Sequence, residues 1–148
     1  MTSILFVCHG NICRSPMAEF VMKDLVAKNG LSEQVYVESA ATSTEEIGND
    51  IHRGTAAVLR REGIPAAPRM AVQLRRADYD KYDLIVGMDS ANIRNIFRIC
   101  GGDPEGKVRL MMSFCGLSRD VADPWYTGDF DSTYRDISSA CRAMLEQI

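Results

Sequence analysis

The segment Cys8–Ser15 combines a thiol, an arginine and a hydroxyl at a spacing that suits attack of sulfur on phosphorus. The apolar run 4–7 before it predicts a strand, and Ser15–Pro16 predicts the start of a helix, because proline suits the first helical turn. Gly10 and Asn11 tolerate the positive φ that a tight connecting loop requires. Such a loop turns successive N–H groups inward and, with the positive end of the helix, predicts an anion site.

A phosphate group in this loop would lie within reach of Cys8. The positive field there favours the thiolate form of Cys8, which is the nucleophilic form, near neutral pH. Arg14 has a planar guanidinium that binds phosphate oxygens in pairs. Cys8 and Arg14 are therefore predicted to be catalytic. The other loop residues are predicted to bind substrate, and they are His9, Gly10, Asn11, Ile12, Cys13 and Ser15.

A thiolate that attacks phosphorus needs a partner that protonates the leaving group, and Asp123 is the best candidate. Trp125 and Tyr126 follow it and could form the walls of a pocket that binds substrate. An aspartate beside aromatic rings and near bound phosphate is expected to favour its protonated form, as a general acid must. Asp89 precedes a predicted helix at Ser90, so we expect it to cap that helix rather than to act as a second acid.

Short β-rich runs alternate with longer helical runs along the 148 residues. This alternation predicts an α/β fold with a single doubly wound domain over 1–148. We expect a four-stranded parallel sheet with helices on both faces. In such folds ligands bind beyond the carboxyl ends of the strands, where the Cys8 loop falls. The predicted strands are 3–7, 34–39, 83–88 and 108–111, and the predicted helices are 16–29, 55–62, 90–100 and 130–148.

The composition excludes several classes of protein. A formal net charge of −3 and scattered basic residues disfavour nucleic-acid binding. No apolar stretch approaches transmembrane length and Met1–Ser3 lacks a cationic region, so we expect a cytoplasmic monomer with no membrane partner. Five cysteines without a C-x2-C pair, and two histidines far apart in sequence, disfavour both a disulfide framework and a metal site.

Two motifs together resemble the low-molecular-weight protein tyrosine phosphatase family. The first is C-x5-R-S-P at 8–16, and the second is Asp-Pro-Trp-Tyr at 123–126. The likeness also takes in Ser39–Ala40, Gly87–Asp89, Asn92 and the terminal helix. It implies an enzyme that hydrolyses phosphotyrosine in proteins, releases inorganic phosphate and needs neither cofactor nor metal, because arginine and loop amides replace a cation.

The resemblance also implies roles for the reacting groups. Cys8 would form a phosphocysteine intermediate, which splits one difficult displacement into two easier ones. Arg14 would bind phosphate and stabilise the charge of the transition state. Asp123 would protonate the departing phenolate and then activate water as a base. Ser15 would donate a hydrogen bond to the Cys8 sulfur and help it leave in the second step.

Three further implications concern residues that support the loop. Asn11 would hold the strained loop conformation through Ser39. Cys13 would trap an oxidised Cys8 as a disulfide and so make the nucleophile redox-regulated. Ala41 departs from the family, which commonly has glycine at that position after the second strand.

The substrate remains open among related enzymes. Relatives that act on phosphoarginine tend to have threonine where this chain has Ile12, whose apolar side chain suits a phenyl ring. Trp125 and Tyr126 also suit an aromatic leaving group, although Tyr126 could instead be a modification site. A thiol-dependent arsenate reductase needs a close cysteine pair, but Cys100 and Cys115 are fifteen residues apart. Phosphotyrosine is therefore favoured over these alternatives, over phosphoserine and over a non-catalytic phosphate-binding role.

Overall fold

The computed structural model describes all 148 residues and contains one all-parallel sheet. Its strands are β1 (Thr2–Cys8), β2 (Val35–Ala41), β3 (Leu84–Gly87) and β4 (Val108–Leu110), in the order β2-β1-β3-β4. The helices are α1 (Arg14–Lys28), α2 (Arg53–Arg61), α3 (Asp78–Lys81), α4 (Ser90–Cys100), α5 (Pro124–Thr127) and α6 (Phe130–Gln147), with a 3₁₀ helix at Met111–Cys115. None of these helices has the length and apolar character needed to cross a membrane.

Helices cover both faces of the sheet, as predicted. Successive side chains of a strand point to opposite faces. Ile4 and Phe6 of β1 therefore pack in the core formed with α1 and α6, whereas Leu5 and Val7 pack in the core formed with α4. All four side chains are almost completely buried. β1 is thus held on both faces and both edges, and Cys8 stands at the end of the most constrained strand.

The order of the strands creates the crevice in which the site lies. β1 pairs with β2 on one side and with β3 on the other. The chain therefore moves outward in one direction after β1 and in the opposite direction after β3. The loops that follow these two strands diverge, and parallel α/β folds bind ligands at this switch point. Cys8 ends β1 and Asp89 follows β3, so both residues reach this crevice.

Several predicted boundaries were wrong for identifiable reasons. β2 runs on to Ala41 because Ala41 also bonds to a neighbouring segment, donating to the Val72 carbonyl at 2.8 Å and accepting from the Leu74 N–H at 2.7 Å. The strand predicted through Met111 ends at Leu110, where the 3₁₀ helix takes over. α2 begins at Arg53 rather than 55. The 3₁₀ helix, α3 and α5 were not predicted, because four- or five-residue elements are too short to produce a periodic pattern.

Candidate active site

The loop between β1 and α1 closes around the sulfur of Cys8. The N–H groups of Asn11 and Ser15 lie 3.3 and 3.4 Å from Sγ, and the Ser15 hydroxyl oxygen lies 3.0 Å from it. The sulfur is therefore surrounded by hydrogen-bonding groups of the loop. Asn11 has a φ of 58° and is the one non-glycine residue in the left-handed region. Gly10 was also expected to allow a positive φ, but its φ is not positive.

The side chain of Asn11 holds this loop to the core. Its Nδ2 donates to the Ser15 hydroxyl at 2.8 Å and to the Ser39 hydroxyl at 2.9 Å. Ser39 in turn donates to the Glu19 carboxylate at 2.5 Å, and Lys23 donates to the same carboxylate at 2.6 Å. The Asn11–Ser39 contact expected from the resemblance is therefore present. Glu19 was not singled out, because a glutamate inside a helical pattern gives no sign that it is buried.

Arg69 binds both carbonyl groups of Asn11. Its Nη2 donates to the Asn11 backbone carbonyl at 2.7 Å and to the side-chain carbonyl at 2.6 Å, and its Nη1 donates to the Asn49 carbonyl at 3.3 Å. Burial lowers the pKa of Arg69, although the acidic residues around it oppose the shift. Sequence reasoning missed Arg69, which stands in an irregular segment with no motif around it.

Arg14 lies almost fully inside the protein, with 2% of its surface exposed. Its Nη1 donates to Asp89 at 2.8 Å and to the Val121 carbonyl at 2.9 Å, and its Nη2 lies 3.4 Å from the Asp123 carboxylate. Burial alone would lower the pKa of Arg14, but negative charge on Cys8, Asp123 and Asp89 outweighs burial and raises it. The guanidinium therefore stays charged, and its Nε forms no hydrogen bond within the protein.

Asp89 has two functions in the structure. It caps α4 as predicted, with Oδ1 accepting from the Asn92 N–H at 2.7 Å. Its other oxygen, Oδ2, fixes the Arg14 guanidinium. The second contact could not be predicted, because it joins residues 75 positions apart.

The segment that carries Asp123 is tied to the site from two directions. The Val121 N–H donates to the Met88 carbonyl at the end of β3 at 2.9 Å, and the Thr133 hydroxyl of α6 donates to the Ala122 carbonyl at 3.1 Å. Asp123 caps α5 through an oxygen that accepts from the Trp125 N–H at 3.1 Å. Its side chain is 24% exposed. Both halves of the predicted site therefore meet although Cys8 and Asp123 are 115 positions apart in the sequence.

These residues surround one pocket. Its base is formed by the buried Cys8 and Arg14, and its mouth by Trp125 and Tyr126, which are 56% and 82% exposed. The aromatic side chains therefore form an open rim rather than an enclosing wall. The full lining consists of Cys8, His9, Gly10, Ile12, Cys13, Arg14, Glu45, Glu46, Asp123, Trp125 and Tyr126.

Two predicted contact residues do not line the pocket, and two unpredicted ones do. Asn11 and Ser15 are fully buried, and their side chains form hydrogen bonds inside the protein. Glu45 and Glu46 stand at the mouth, and Glu45 lies 2.7 Å from Nε2 of His9. The polar loop that holds the two glutamates gave no local signal for this position.

The comparison with known proteins agrees with this geometry. The model of a family described as low molecular weight phosphotyrosine protein phosphatase matches residues 3–148. The chain belongs to this family. It is 40% identical over 150 aligned positions to the low molecular weight protein-tyrosine-phosphatase YfkJ of Bacillus subtilis, covering 100% of this chain and 96% of YfkJ. The human low molecular weight phosphotyrosine protein phosphatase is 38% identical, with 98% and 94% of the two chains covered.

Solved structures agree equally well with this assignment to the phosphatase family. The crystal structure of YfkJ superposes with a TM-score of 0.96 and covers all of this chain and 94% of that one. A Drosophila arginine phosphatase superposes with a TM-score of 0.90 at 28% identity, covering 99% and 97% of the two chains. The fold and the general chemistry, cysteine-dependent hydrolysis of phosphate monoesters without a metal, are thus those of this phosphatase family.

The sequence also singled out Cys13 and Ala41. Burial, assisted by negative charge on Cys8 and Asp123, raises the pKa of Cys13 to about 12, so that Cys13 is a thiol at neutral pH. Ala41 replaces the glycine common in the family, and the substitution fits because Ala41 lies in the extended backbone of β2.

Proposed function

We propose that this phosphatase hydrolyses phosphotyrosine in proteins through a phosphocysteine intermediate. The observation that carries the proposal is the meeting of Cys8, Arg14 and Asp123 in one pocket. Two backbone N–H groups donate to the sulfur of Cys8, and the Ser15 hydroxyl lies 3.0 Å from it. Arg14 is fixed and charged, and the Asp123 carboxylate lies 3.4 Å from its Nη2. Nucleophile, anion site and acid are the three parts that phosphoryl transfer to cysteine requires.

In the first step the thiolate of Cys8 attacks phosphorus, and the bond between phosphorus and the phenolic oxygen breaks. Asp123 gives its proton to that oxygen, so the phenol leaves neutral. Arg14 Nε and Nη2 bind the equatorial oxygens as negative charge builds up on them. Asp89 and the Val121 carbonyl hold the other side of the guanidinium, so Arg14 need not reorganise during the step.

In the second step water attacks the phosphorus of the phosphocysteine. Asp123, now a carboxylate, takes a proton from that water, and the bond between sulfur and phosphorus breaks to release inorganic phosphate. The hydroxyl of Ser15 and the N–H groups of Asn11 and Ser15 stabilise the departing thiolate. Ser15 is fully buried, so it can stabilise the sulfur without lining the pocket.

The depth of the pocket supports phosphotyrosine as the substrate. The sulfur of Cys8 is at the base, where the residue is 3% exposed, while Trp125 and Tyr126 stand at the rim. We expect a phenyl ring to extend from the phosphate towards the rim between Ile12 and Trp125, and the shorter side chain of phosphoserine to hold its phosphorus away from the sulfur. The apolar side chain of Ile12 offers no hydrogen bond to a guanidinium, which disfavours phosphoarginine.

The experiment compares purified protein on matched peptides that contain phosphotyrosine, phosphoserine or phosphoarginine, and on arsenate with a thiol reductant. We expect phosphotyrosine to be hydrolysed with a kcat/KM at least about 100-fold above the others. Ile12→Thr should raise the relative rate on phosphoarginine. Ile12→Val should not, because valine has the shape of threonine but no hydroxyl. A wild-type enzyme that prefers phosphoarginine or reduces arsenate would replace this proposal with that alternative.

We further propose that Cys13 protects the nucleophile. Peroxide would oxidise the Cys8 thiolate to a sulfenic acid, and the Cys13 thiol would then condense with it to form a disulfide and release water. Both residues line the same pocket. Brief peroxide treatment followed by a thiol reductant should restore activity in the wild type but not in Cys13→Ser. Equal recovery in the two proteins would rule out this role.

A further inference from the structure

His52 touches both halves of the site although it lies in neither motif. Its backbone N–H donates to the carbonyl of Ile12 in the catalytic loop at 2.8 Å. Its ring nitrogen Nδ1 accepts from the Gly54 N–H at 2.9 Å and thereby caps α2. The residue is partly buried. His52 is therefore fixed in place by its backbone and by one nitrogen of its ring.

The rest of the ring packs between two aromatic side chains. Phe130, the first residue of α6, stacks on one face with ring centroids 5.1 Å apart and an interplanar angle of 17°. Trp125 meets the ring at 5.6 Å and 79°, an edge-to-face contact. A Cβ on Gly54 would lie within 2.6 Å of the Phe130 ring, so glycine alone allows α2 to pack this closely. The His52 ring thus has Phe130 on one face and Trp125 in edge-to-face contact.

Trp125 needs such a contact because more than half of its surface is exposed. We infer that His52 is a positioning residue, whose ring sets the orientation of Trp125 and thus the width of the cleft between Trp125 and Ile12. The inference rests on the proposed function, since an aryl group of the substrate would occupy that cleft. His52 would act on binding of the aryl group and not on binding of phosphate, which contacts the loop and Arg14.

Two substitutions distinguish the capping of α2 by His52 from the packing of its ring on Trp125. Asparagine retains an acceptor that can cap α2 but has no ring to pack on Trp125. Phenylalanine retains the ring but has no acceptor for the Gly54 N–H. If His52 only stabilised the fold, both variants would be impaired according to their stability. If it positions Trp125, activity should follow the ring while stability follows the cap.

The first measurement is kinetic. An aromatic contact of this kind accounts for a two- to tenfold change in binding. His52→Asn should therefore raise KM for a phosphotyrosine peptide by about two- to tenfold and leave the inhibition constant of inorganic phosphate within about twofold. His52→Phe should keep KM near the wild-type value and lower Tm by several degrees. Equal loss of phosphate affinity and of aryl-substrate affinity in His52→Asn would overturn the inference.

The second measurement uses fluorescence, because Trp125 is the single tryptophan of the chain. In His52→Asn the emission should be quenched more strongly by acrylamide and its anisotropy should fall, while His52→Phe should match the wild type. Arg60→Asn, at an exposed position of the helix that His52 caps, is the matched control, with no change expected in the fluorescence. Identical quenching in all four proteins would overturn the inference even if the wild type hydrolysed no phosphotyrosine, an outcome that would separately refute the proposed function.

Discussion

At the scale of single residues, the site works because each reacting group is held by partners that do not react. Arg14 illustrates this arrangement, since Asp89 and the Val121 carbonyl fix one nitrogen while the rest of the guanidinium remains available to phosphate. Donors fixed before the reaction stabilise a transition state without reorganisation. The two cysteines differ in the same way, because two N–H groups donate to the sulfur of Cys8 whereas the buried sulfur of Cys13 accepts no hydrogen bond.

The role of Asp123 predicts a dependence on the leaving group. Asp123→Asn keeps an acceptor for the Trp125 N–H, so α5 stays capped while the acid is lost. We expect kcat to fall by about 100- to 1000-fold for poor leaving groups and much less for p-nitrophenol, which leaves without a proton. The measurement is kcat against leaving-group pKa over a series of aryl phosphates. A uniform loss across the series would exclude Asp123 as the acid.

The two cysteines should also react differently. Because the pKa of Cys13 is raised to about 12, it is protonated at pH 7 and should react far more slowly than a thiolate with an added alkylating reagent. Iodoacetamide should label Cys8 in the wild type and leave Cys13 unlabelled, as mapped by mass spectrometry. Cys8→Ser should abolish turnover, still bind inorganic phosphate, and show no labelling at position 13. Rapid labelling of Cys13 in that variant would contradict the assignment of Cys8 as the one reactive thiol.

At the scale of elements, the catalytic loop depends on a segment that comes much later in the chain. Arg69 and the Val72 N–H both bind Asn11, and the same segment bonds to Ala41 at the end of β2. The positive φ of Asn11 costs conformational energy that these contacts must offset. The segment 69–72 therefore clamps the loop from outside while Ser39 holds it from inside.

Removing this clamp should weaken phosphate binding. Arg69→Met should lower kcat/KM about tenfold and raise the inhibition constant of inorganic phosphate by a similar factor, because the loop that binds phosphate is no longer held in shape. Arg69→Lys should restore part of the loss, since lysine can donate one of the hydrogen bonds. Arg60→Met, at an exposed position of α2, is the control. Unchanged phosphate affinity in Arg69→Met would show that Asn11 keeps its conformation unaided.

The elements that could be predicted from sequence are those whose pattern repeats. β1, α4 and α6 are long enough for apolar periodicity to emerge, and the two motifs identified Cys8 and Asp123. The contacts that complete the site could not be predicted, because they join residues distant in sequence and involve ordinary side chains. Glu19, Arg69 and His52 have no motif, and only the folded chain brings them to the loop.

At the scale of the whole molecule, the alignment of the site depends on the last helix. α6 packs on α1 through Cys141 and Met144, both completely buried, and through Thr133 it holds the segment that contains Asp123. The two halves of the site are thus aligned by a helix pair on the face of the sheet away from α4.

Loss of packing in this helix pair should reduce stability more than activity. Met144→Ala leaves a cavity between α6 and the core, and we expect the free energy of unfolding to fall by about 2–4 kcal/mol. Urea denaturation followed by circular dichroism measures this change, and Glu146→Ala, at an exposed position of α6, is the control. Below the transition kcat should stay within about twofold. A large fall in kcat with little loss of stability would show that α6 acts on the site directly.

The packing of α6 on α1 also bears on the order in which the protein gains activity as it folds. Contacts between distant parts of a chain form late, because loop closure must precede them. Once β1 has paired with β2 and β3, the loop between β1 and α1 can form around Cys8 before Asp123 has reached the site. During refolding, a reactive thiol should therefore be detectable before turnover returns. Recovery of hydrolysis then reports the docking of the last helix rather than the formation of the sheet.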